Sequence, residues 1–405
     1  MKVRKIGALI LIFVLLFVCL CGCAPDYDRA TEKLLKKSKT VNFDNNLDFV
    51  EDEDRTSVAY QIIRSMGIKE KIGQLLVIEP DVLLSNDSNN TYSVTQYMRN
   101  EYEKYPVAGF ILMHDNIKNP SQLNYLTKEL LTIGSIKSFI GVEEEGGDHL
   151  RIAGTNEFNL TKTPAMKDIA QNGEPGEVKQ AMSEIGKYLF TYNINFDLAP
   201  VADVLTAKSG SIIGSRSFGS DPDKTAQFVK AAVEGLHEHQ IMSAAKHFPG
   251  HGSVSGDSNI QSIDVNKTWE EMLESDIVPF KAAIEAGTDM IVVSHLTVQK
   301  VTGDDLPSSL SYEIMTKKLR QELGFDGIIM TESFSADVIA NTYTPGAAAV
   351  TAIKAGADIV ALSDSYKEAF NSILKALNEG TLSMKRVNES VWRVLKTKEK
   401  YGLLQ

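Results

Sequence analysis

Cysteine is almost absent from this 405-residue sequence. Its three cysteines are Cys19, Cys21 and Cys23, so all of them lie in the first 23 residues. The rest of the chain can therefore form neither a disulfide nor a thiolate metal site. Its stability must come from a large apolar core, and a chain of this length can bury one.

Positive charge is also scarce. The chain has 42 Lys and Arg against 53 Asp and Glu, a net charge of −11. It contains no block of basic residues, and nucleic-acid binding normally depends on such a patch. We therefore expect no nucleic-acid partner, and the acidic balance indicates a soluble surface.

The one long apolar run lies at residues 6–20, after basic residues at positions 2, 4 and 5. This order is typical of an export signal, and the run is short for a membrane span. Leu20-Cys21-Gly22-Cys23 resembles the bacterial lipobox, which implies acylation of Cys23. We expect a signal peptide over 1–22 and a body lipid-anchored on the extracytoplasmic face of the bacterial cell membrane. An uncleaved signal anchor is the alternative, and it places the body on the same side.

The remaining sequence divides into a polar segment over 23–55 and a single domain over 56–405. The segment is rich in Asp, Glu, Lys and Asn, and its composition predicts a tether with one helix near 30–37. In the domain, eight apolar strand-like runs alternate with stretches of helical spacing, which predicts a parallel sheet and, at this length, a closed (β/α)₈ barrel of the TIM type. An open doubly wound sheet is the alternative, although no G-x-G-x-x-G follows the first strand. The strand-like runs are 72–79, 107–113, 138–145, 196–204, 242–248, 290–295, 327–332 and 358–363. Helical spacing covers 178–192, 224–237, 269–286, 312–323, 347–355 and 384–401.

Most of the strand-like runs end in polar side chains. In a barrel of this type the active site lies at the carboxyl ends of the strands, so these side chains should meet in a polar pocket suited to a polyhydroxylated ligand. The set comprises Glu143, Glu144, Glu145, Asp203, Lys246, His247, Ser294, His295, Thr331, Glu332, Ser363 and Asp364.

Several of these residues have other interpretations. Lys246 is compatible with a Schiff-base lysine or with an ion-pair partner for a nearby carboxylate. His295 is also compatible with a hydrogen-bonded histidine of the core. Residues 143–145 are by themselves typical of a solvated loop. A metal held by His247 and His251 is disfavoured because a Pro-Gly pair separates them. We therefore expect no metal site.

The segment Lys246-His247-Phe248-Pro249-Gly250-His251-Gly252 resembles the K-H-F-P-G-H-G block of the glycoside hydrolase family 3 β-N-acetylglucosaminidases. Further similar segments follow the order of that family, and together they cover about 69–403. They are EGG at 145–147, TPAM at 163–166, FDLAPVADV at 196–204, IGSRSFGSDP at 213–222, PFK at 279–281, AG at 286–287, VSH at 293–295 and GFDGII at 324–329.

The resemblance implies retaining hydrolysis of terminal β-linked N-acetylglucosamine (an O-glycosyl hydrolase of the β-N-acetylhexosaminidase type). Peptidoglycan or muropeptide fragments are the implied substrate, and no cofactor is implied. The residues at the matching positions for sugar binding are Glu143, Asp203, Arg216, Lys246 and His247.

Three segments depart from the pattern of the resembled family. The nucleophile position, normally Asp, holds Glu332, and its extra methylene moves the carboxylate by roughly 1–1.5 Å. The acid/base triplet D-S-H reads Asp257-Ser258-Asn259, and an Asn amide cannot act as a general acid. The segment D-x-E-G-G-R reads EEEGGD at 143–148. Residues that could supply the proton instead are Glu144, Asp148, His149 and His251.

Two hypotheses follow from this sequence. The first is an active or weakly active β-N-acetylhexosaminidase at the cell surface. The second is a catalytically impaired barrel lipoprotein that binds a cell-wall sugar or a protein partner without hydrolysis. Turnover of a β-N-acetylglucosaminide distinguishes the two.

Overall fold

A computed structural model of the chain describes residues 26–84 and 91–404. The predicted signal peptide and the predicted lipidation site at Cys23 lie outside these residues. Within the described ranges, no helix has the length and apolar character needed to cross a membrane.

Eight parallel strands form one sheet in the order β10-β1-β2-β3-β6-β7-β8-β9. A parallel bridge joins Met330 of β9 to Ile359, the residue directly before β10. The last strand of this order therefore lies beside the first, and the sheet closes into a barrel. The predicted (β/α)₈ barrel is confirmed, and the open-sheet alternative is wrong. The barrel strands are β1 (Leu76–Ile78), β2 (Gly109–Ile111), β3 (Phe139–Val142), β6 (Phe196–Asp197), β7 (Met242–Phe248), β8 (Met290–Val293), β9 (Ile328–Thr331) and β10 (Val360–Leu362). Strands β4 (Glu144–Gly146) and β5 (His149–Leu150) form an antiparallel hairpin after β3.

Alternate residues of the barrel strands point into the barrel, because successive side chains of a strand lie on opposite faces. The inward set forms a small apolar cluster of its own, separate from the larger core under the helices. The same alternation directs the next inward residue at the carboxyl end of a strand into the barrel opening. Glu79 follows Val77 in this way, Lys246 follows Ala244 and Glu332 follows Met330. The inward apolar strand residues are Val77, Phe139, Phe196, Met242, Ala244, Met290, Val292, Ile328 and Met330.

Helices surround the barrel, and several begin at side-chain caps that the sequence contains. Asp221 accepts hydrogen bonds from the N–H groups of Asp223 and Lys224 at 3.0 and 3.1 Å, and Pro222 occupies the first turn, where no N–H is needed. The helices are α1 (Tyr27–Ser38), α2 (Val58–Ser65), α3 (Ile68–Gly73), α4 (Gln96–Lys104), α5 (Pro120–Leu131), α6 (Met166–Asn172), α7 (Pro175–Thr191), α8 (Pro222–His237), α9 (Trp269–Leu273), α10 (Val278–Glu285), α11 (Gln299–Thr302), α12 (Glu313–Glu322, with π-type hydrogen bonds), α13 (Asp337–Ala340), α14 (Pro345–Ala355), α15 (Tyr366–Asn378) and α16 (Met384–Lys400).

The single helix predicted over 269–286 is wrong, since the structure has two helices there. Helix α9 ends at Leu273, and α10 begins at Val278 with Pro279 in its first turn. Proline has no N–H for the preceding turn and its ring crowds the backbone before it, so a continuous helix would be strained at this point.

The polar segment before the barrel is packed against it. In α1, the Thr31 hydroxyl donates to Asn371 Oδ1 at 2.6 Å, which joins this helix to α15. Leu47 and Val50 are buried in the main core. Residues 26–55 therefore belong to the folded body, which corrects the predicted tether over 23–55; polar composition concealed the few apolar residues that dock the segment.

The amphipathic helix predicted over 384–401 is confirmed as α16. It lies across the amino-terminal end of the barrel, where Lys398 Nζ donates to Gln74 Oε1 and to the Ala108 carbonyl, each at 2.9 Å. The active-site end of the barrel is the opposite one.

Candidate active site

A cavity of about 390 Å³ opens at the carboxyl end of the strands, and this volume is typical of a small-molecule site. Its inner wall is apolar and includes Val77, Val292 and Met330 from inside the barrel. Its rim is polar, and the functional side chains there are Glu79, Glu143, Lys246, His247, Asn259, Glu332, Ser333 and Ser363.

Lys246 lies at the centre of the rim charges. Its Nζ is 2.8 Å from Glu143 Oε1 and 2.7 Å from Glu145 Oε1, and the lysine side chain is only 3% exposed. The lysine holds the pKa of Glu143 well below its usual range. Burial acts to raise the pKa of Glu145, but Lys246 and Arg216 outweigh it and hold this pKa at about 2. Both glutamates are therefore anionic, and the sequence interpretation of Lys246 as an ion-pair partner is the one that the geometry shows.

Arg216 and Asp203 fix the ring of His247. Arg216 donates two hydrogen bonds of 2.7 Å to Glu145 and lies 3.2 Å from His247 Nε2. Because a guanidinium only donates, Nε2 accepts and the ring carries its proton on Nδ1, which donates to Asp203 Oδ2 at 2.7 Å. Burial, with Arg216 and Lys246 nearby, keeps the pKa of His247 well below its ordinary value. This neutral, fixed imidazole has no proton to give to a substrate.

Glu332 lies at the end of β9 and faces the cavity. Burial raises its pKa to about 7, although Lys246 and the His295 N–H, 3.3 Å from Oε2, favour the charged form. His295 beside it donates from Nε2 to the Ser333 carbonyl at 3.0 Å, and its Nδ1 lies 2.8 Å from the Ser309 hydroxyl. This histidine is thus a hydrogen-bonded core residue, and burial lowers its pKa to about 4.

The structure places Asn259 on the wall of the same cavity as Glu332. Asp257 Oδ1 accepts from the Asn259 backbone N–H at 2.9 Å, so Asp257 holds the loop and does not face the cavity itself. Of the predicted sugar-binding residues, Glu143, Lys246 and His247 line the cavity, whereas Asp203 and Arg216 lie behind them and position them. The sugar contacts of all five residues stay predictions.

The sequence suggested four alternative proton donors, and for two of them, Glu144 and His251, the suggestion is wrong. Glu144 points away from the cavity and accepts hydrogen bonds from the N–H groups of Ile152 and Ala153 and from the Tyr188 hydroxyl. His251 is fully buried, with Nε2 3.1 Å from the Ser258 hydroxyl. The interpretation of residues 143–145 as a solvated loop is also wrong, because Glu144 and Glu145 are buried.

The other two alternative proton donors, Asp148 and His149, lie on the hairpin beside the rim. Asp148 is exposed at the hairpin turn, and His149 is partly buried near Glu145 and Arg216. Burial lowers the pKa of His149, so this ring is neutral near pH 7.

Sequence reasoning missed two residues of the site. Arg151 forms an ion pair with Glu143 across the hairpin. Its position depends on that hairpin, and the sequence pattern did not predict the two strands that form it. Glu79 lines the cavity at the end of β1. The alternation of inward residues along β1 would have found it, since it is two residues beyond Val77.

The rim brings together carboxyl groups, a lysine, an arginine and hydroxyls around one small cavity. In the described parts of the chain, no group of three or more His, Cys, Asp or Glu has the geometry to hold a metal ion. Cleavage of a glycosidic bond generally uses two carboxyl groups that flank the bond, and three glutamates, Glu79, Glu143 and Glu332, line this cavity. A barrel with such a site is compatible with the class of glycosidases.

The family assignment agrees. Residues 67–397 match the glycosyl hydrolase family 3 N-terminal domain, which is more than half of the chain. The protein therefore belongs to glycosyl hydrolase family 3, a family of O-glycosyl hydrolases.

Individual relatives support the same assignment. The chain is 32% identical over 257 residues to a β-hexosaminidase of Tolumonas auensis, covering 63% of this chain and 75% of that protein. It is 32% identical over 270 residues to the β-hexosaminidase LpqI of Mycobacterium tuberculosis, and the match covers 64% of this chain and 68% of that protein. Its fold is similar to that of a glycoside hydrolase family 3 β-N-acetylglucosaminidase from Paenibacillus sp. str. FPU-7, with a TM-score of 0.77, 28% identity and coverage of 84% of this chain and 63% of that one.

Proposed function

We propose that the protein hydrolyses terminal β-linked N-acetylglucosamine from peptidoglycan-derived or related glycans with retention of configuration. The observation that carries the proposal is the position of Glu332, a buried carboxyl in the cavity that also contains the Lys246–Glu143 pair. Glu332 attacks the anomeric carbon, and the charged pair binds sugar hydroxyls opposite it. The relatives named as β-hexosaminidases support this choice of sugar.

We further propose that the protein works on the outer face of the cell membrane, anchored by a lipid on Cys23. The export signal and the lipobox-like residues over 1–23 support this location. Globomycin sensitivity and labelling with a fatty-acid analogue test it. Fatty-acid labelling that persists in a Cys23→Ala variant would contradict it.

The activity is tested by release of 4-nitrophenol from its β-N-acetylglucosaminide by residues 24–405. This leaving group hardly needs protonation, so the assay depends on sugar binding and Glu332 and bypasses Asn259. We expect saturable release. Saturable binding of N-acetylglucosamine by calorimetry without any release would instead identify a sugar-binding protein, and neither binding nor release would refute the proposal altogether.

The pH dependence of the same reaction follows from the buried nucleophile. Glu332 attacks only as a carboxylate, and burial raises its pKa to about 7. The kcat/KM for the 4-nitrophenyl substrate should therefore rise with pH through about 7, measured from about pH 5 to 9 with alkaline quenching. A rise centred near the ordinary glutamate value would contradict the assignment of Glu332.

A further inference from the structure

The proposed reaction needs a proton donor, and the residues already considered do not provide one at the cavity. Asn259 is an amide, and His247 is neutral with its only ring proton bonded to Asp203. Glu143 is held as an anion by Lys246 and Arg151. Among the described residues, three carboxyl groups line the cavity. Apart from the proposed nucleophile Glu332 and the anionic Glu143, the remaining one is Glu79.

We propose that the carboxyl group of Glu79 is the general acid and base of this site. The proposal rests on the hydrolase function proposed above. It assigns to β1 a role that the resemblance places on the loop of Asn259.

Backbone geometry directs Glu79 toward the cavity. Its N–H donates to the Leu362 carbonyl at 3.3 Å, which continues the β1–β10 pairing by one residue. Val77 points into the barrel. Because side chains two residues apart on a strand lie on the same face, Glu79 points into the barrel as well. The sheet order β9-β10-β1 puts Glu332 and Glu79 two strands apart, on the order of 10 Å between backbones. Two inward glutamate side chains can therefore reach a sugar ring from different sides.

The charges around the two glutamates differ in sign. Lys246 and Arg216 favour the anion of Glu332, as a nucleophile requires. Burial raises the pKa of Glu79, the Ser363 hydroxyl partly opposes this, and Asp81 and Asp364 raise it further. No cation is among these groups. Cations therefore lie near Glu332 and carboxylates near Glu79, while burial raises the pKa of both groups and brings that of Glu332 to about 7. The position of Glu79 on the cavity wall, and not its pKa, carries the assignment. The ionisable groups near the two glutamates are Asp81, Asp364, Glu143, Asp203, Arg216, Lys246 and His247.

The proposed steps balance. In the first step a Glu332 oxygen bonds to the anomeric carbon, the glycosidic C–O bond breaks, and its electron pair stays on the departing oxygen, which takes the proton of Glu79. In the second step the Glu79 carboxylate takes a proton from water as the water oxygen bonds to the anomeric carbon. The bond to Glu332 breaks and its electron pair returns to the carboxylate. The net reaction is hydrolysis.

The test compares the leaving-group dependence of wild type and Glu79→Gln. Substrates are 4-nitrophenyl β-N-acetylglucosaminide, which needs little protonation, and the β-1,4-linked disaccharide of N-acetylglucosamine, which needs it fully. For Glu79→Gln we expect kcat/KM on the disaccharide to fall about 100-fold or more, and on the 4-nitrophenyl substrate less than about tenfold. The basic limb of the disaccharide pH profile should disappear. Azide should raise kcat on the 4-nitrophenyl substrate with formation of the glycosyl azide, because it replaces the water that Glu79 activates.

A merely structural role for Glu79 would lower both rates together without azide rescue, and that result would overturn the proposal. An unchanged disaccharide rate would also overturn it, as would a wild type active only on the 4-nitrophenyl substrate. A wild type active on neither substrate would refute the hydrolase function itself, so the two failures are distinguishable. Glu157→Gln makes the same chemical change at an exposed position and should keep both rates.

Discussion

Replacement of Glu332 by glutamine is expected to reduce release of 4-nitrophenol by about 1000-fold or more, because an amide cannot form the glycosyl ester. The side chain keeps its size, so sugar binding by calorimetry should persist. Glu332→Asp keeps the charge but moves the carboxylate, and should retain more activity than Glu332→Gln. The surface variant Glu157→Gln should retain the wild-type rate.

The stability of Glu332→Gln provides the folding control. Because the folded pKa of Glu332 is raised from 4.5 to about 7, ionisation of this residue destabilises the folded state as pH rises through that interval. Above pH 7 the variant lacks this cost, and its unfolding midpoint should be no lower than that of wild type. A variant that is folded and retains more than about a tenth of the wild-type rate would refute the nucleophile assignment.

Replacement of Lys246 by methionine is expected to cost about 3–5 kcal/mol of unfolding free energy, because it leaves buried carboxylates without their shared cation. Lys246 contacts Glu143 and Glu145 directly, and Glu145 is 2% exposed. Urea unfolding measures the change. Lys128→Met, at an exposed position on α5, should change stability by no more than about 0.5 kcal/mol.

The Lys246→Met effect should depend on pH in a defined direction. In wild type the pKa of Glu145 is depressed from 4.5 to about 2, so its stabilising contribution is present above 4.5 and is lost as pH falls toward 2. The variant keeps only the part of this contribution that Arg216 supplies. The stability difference between the two proteins should therefore be largest at neutral pH and shrink in acid. A difference independent of pH would show that packing, not charge, causes the loss.

If the two proposals about Glu332 and Glu79 hold, a family 3 barrel can work with an asparagine at position 259, where the resemblance predicts the acid/base. Glu332 and Asn259 line one cavity, as the sequence suggested, but the cavity also includes a carboxyl on the adjoining side of the barrel. The function therefore depends on the whole rim and not on one motif.

The sequence by itself determined the barrel and most of its rim. All eight apolar runs contain a strand, since runs of this length between helical periods have few other packings, and the period of two fixes which residues point inward. Lys246, His247 and Glu332 lie near the carboxyl ends of such runs and line the cavity as expected.

Only the tertiary structure decided which rim residues face the cavity and what their charges are. Glu143, Glu144 and Glu145 are adjacent in the chain, yet Glu143 faces the cavity, Glu144 is bonded to backbone N–H groups and Glu145 is buried between Lys246 and Arg216. Arg151 was missed because its role depends on a hairpin that pairs it with Glu143, whereas the alternation along β1 could have identified Glu79. Ionisation depends on burial and on charges brought together by folding, and these physical quantities do not exist until the chain has closed into the barrel.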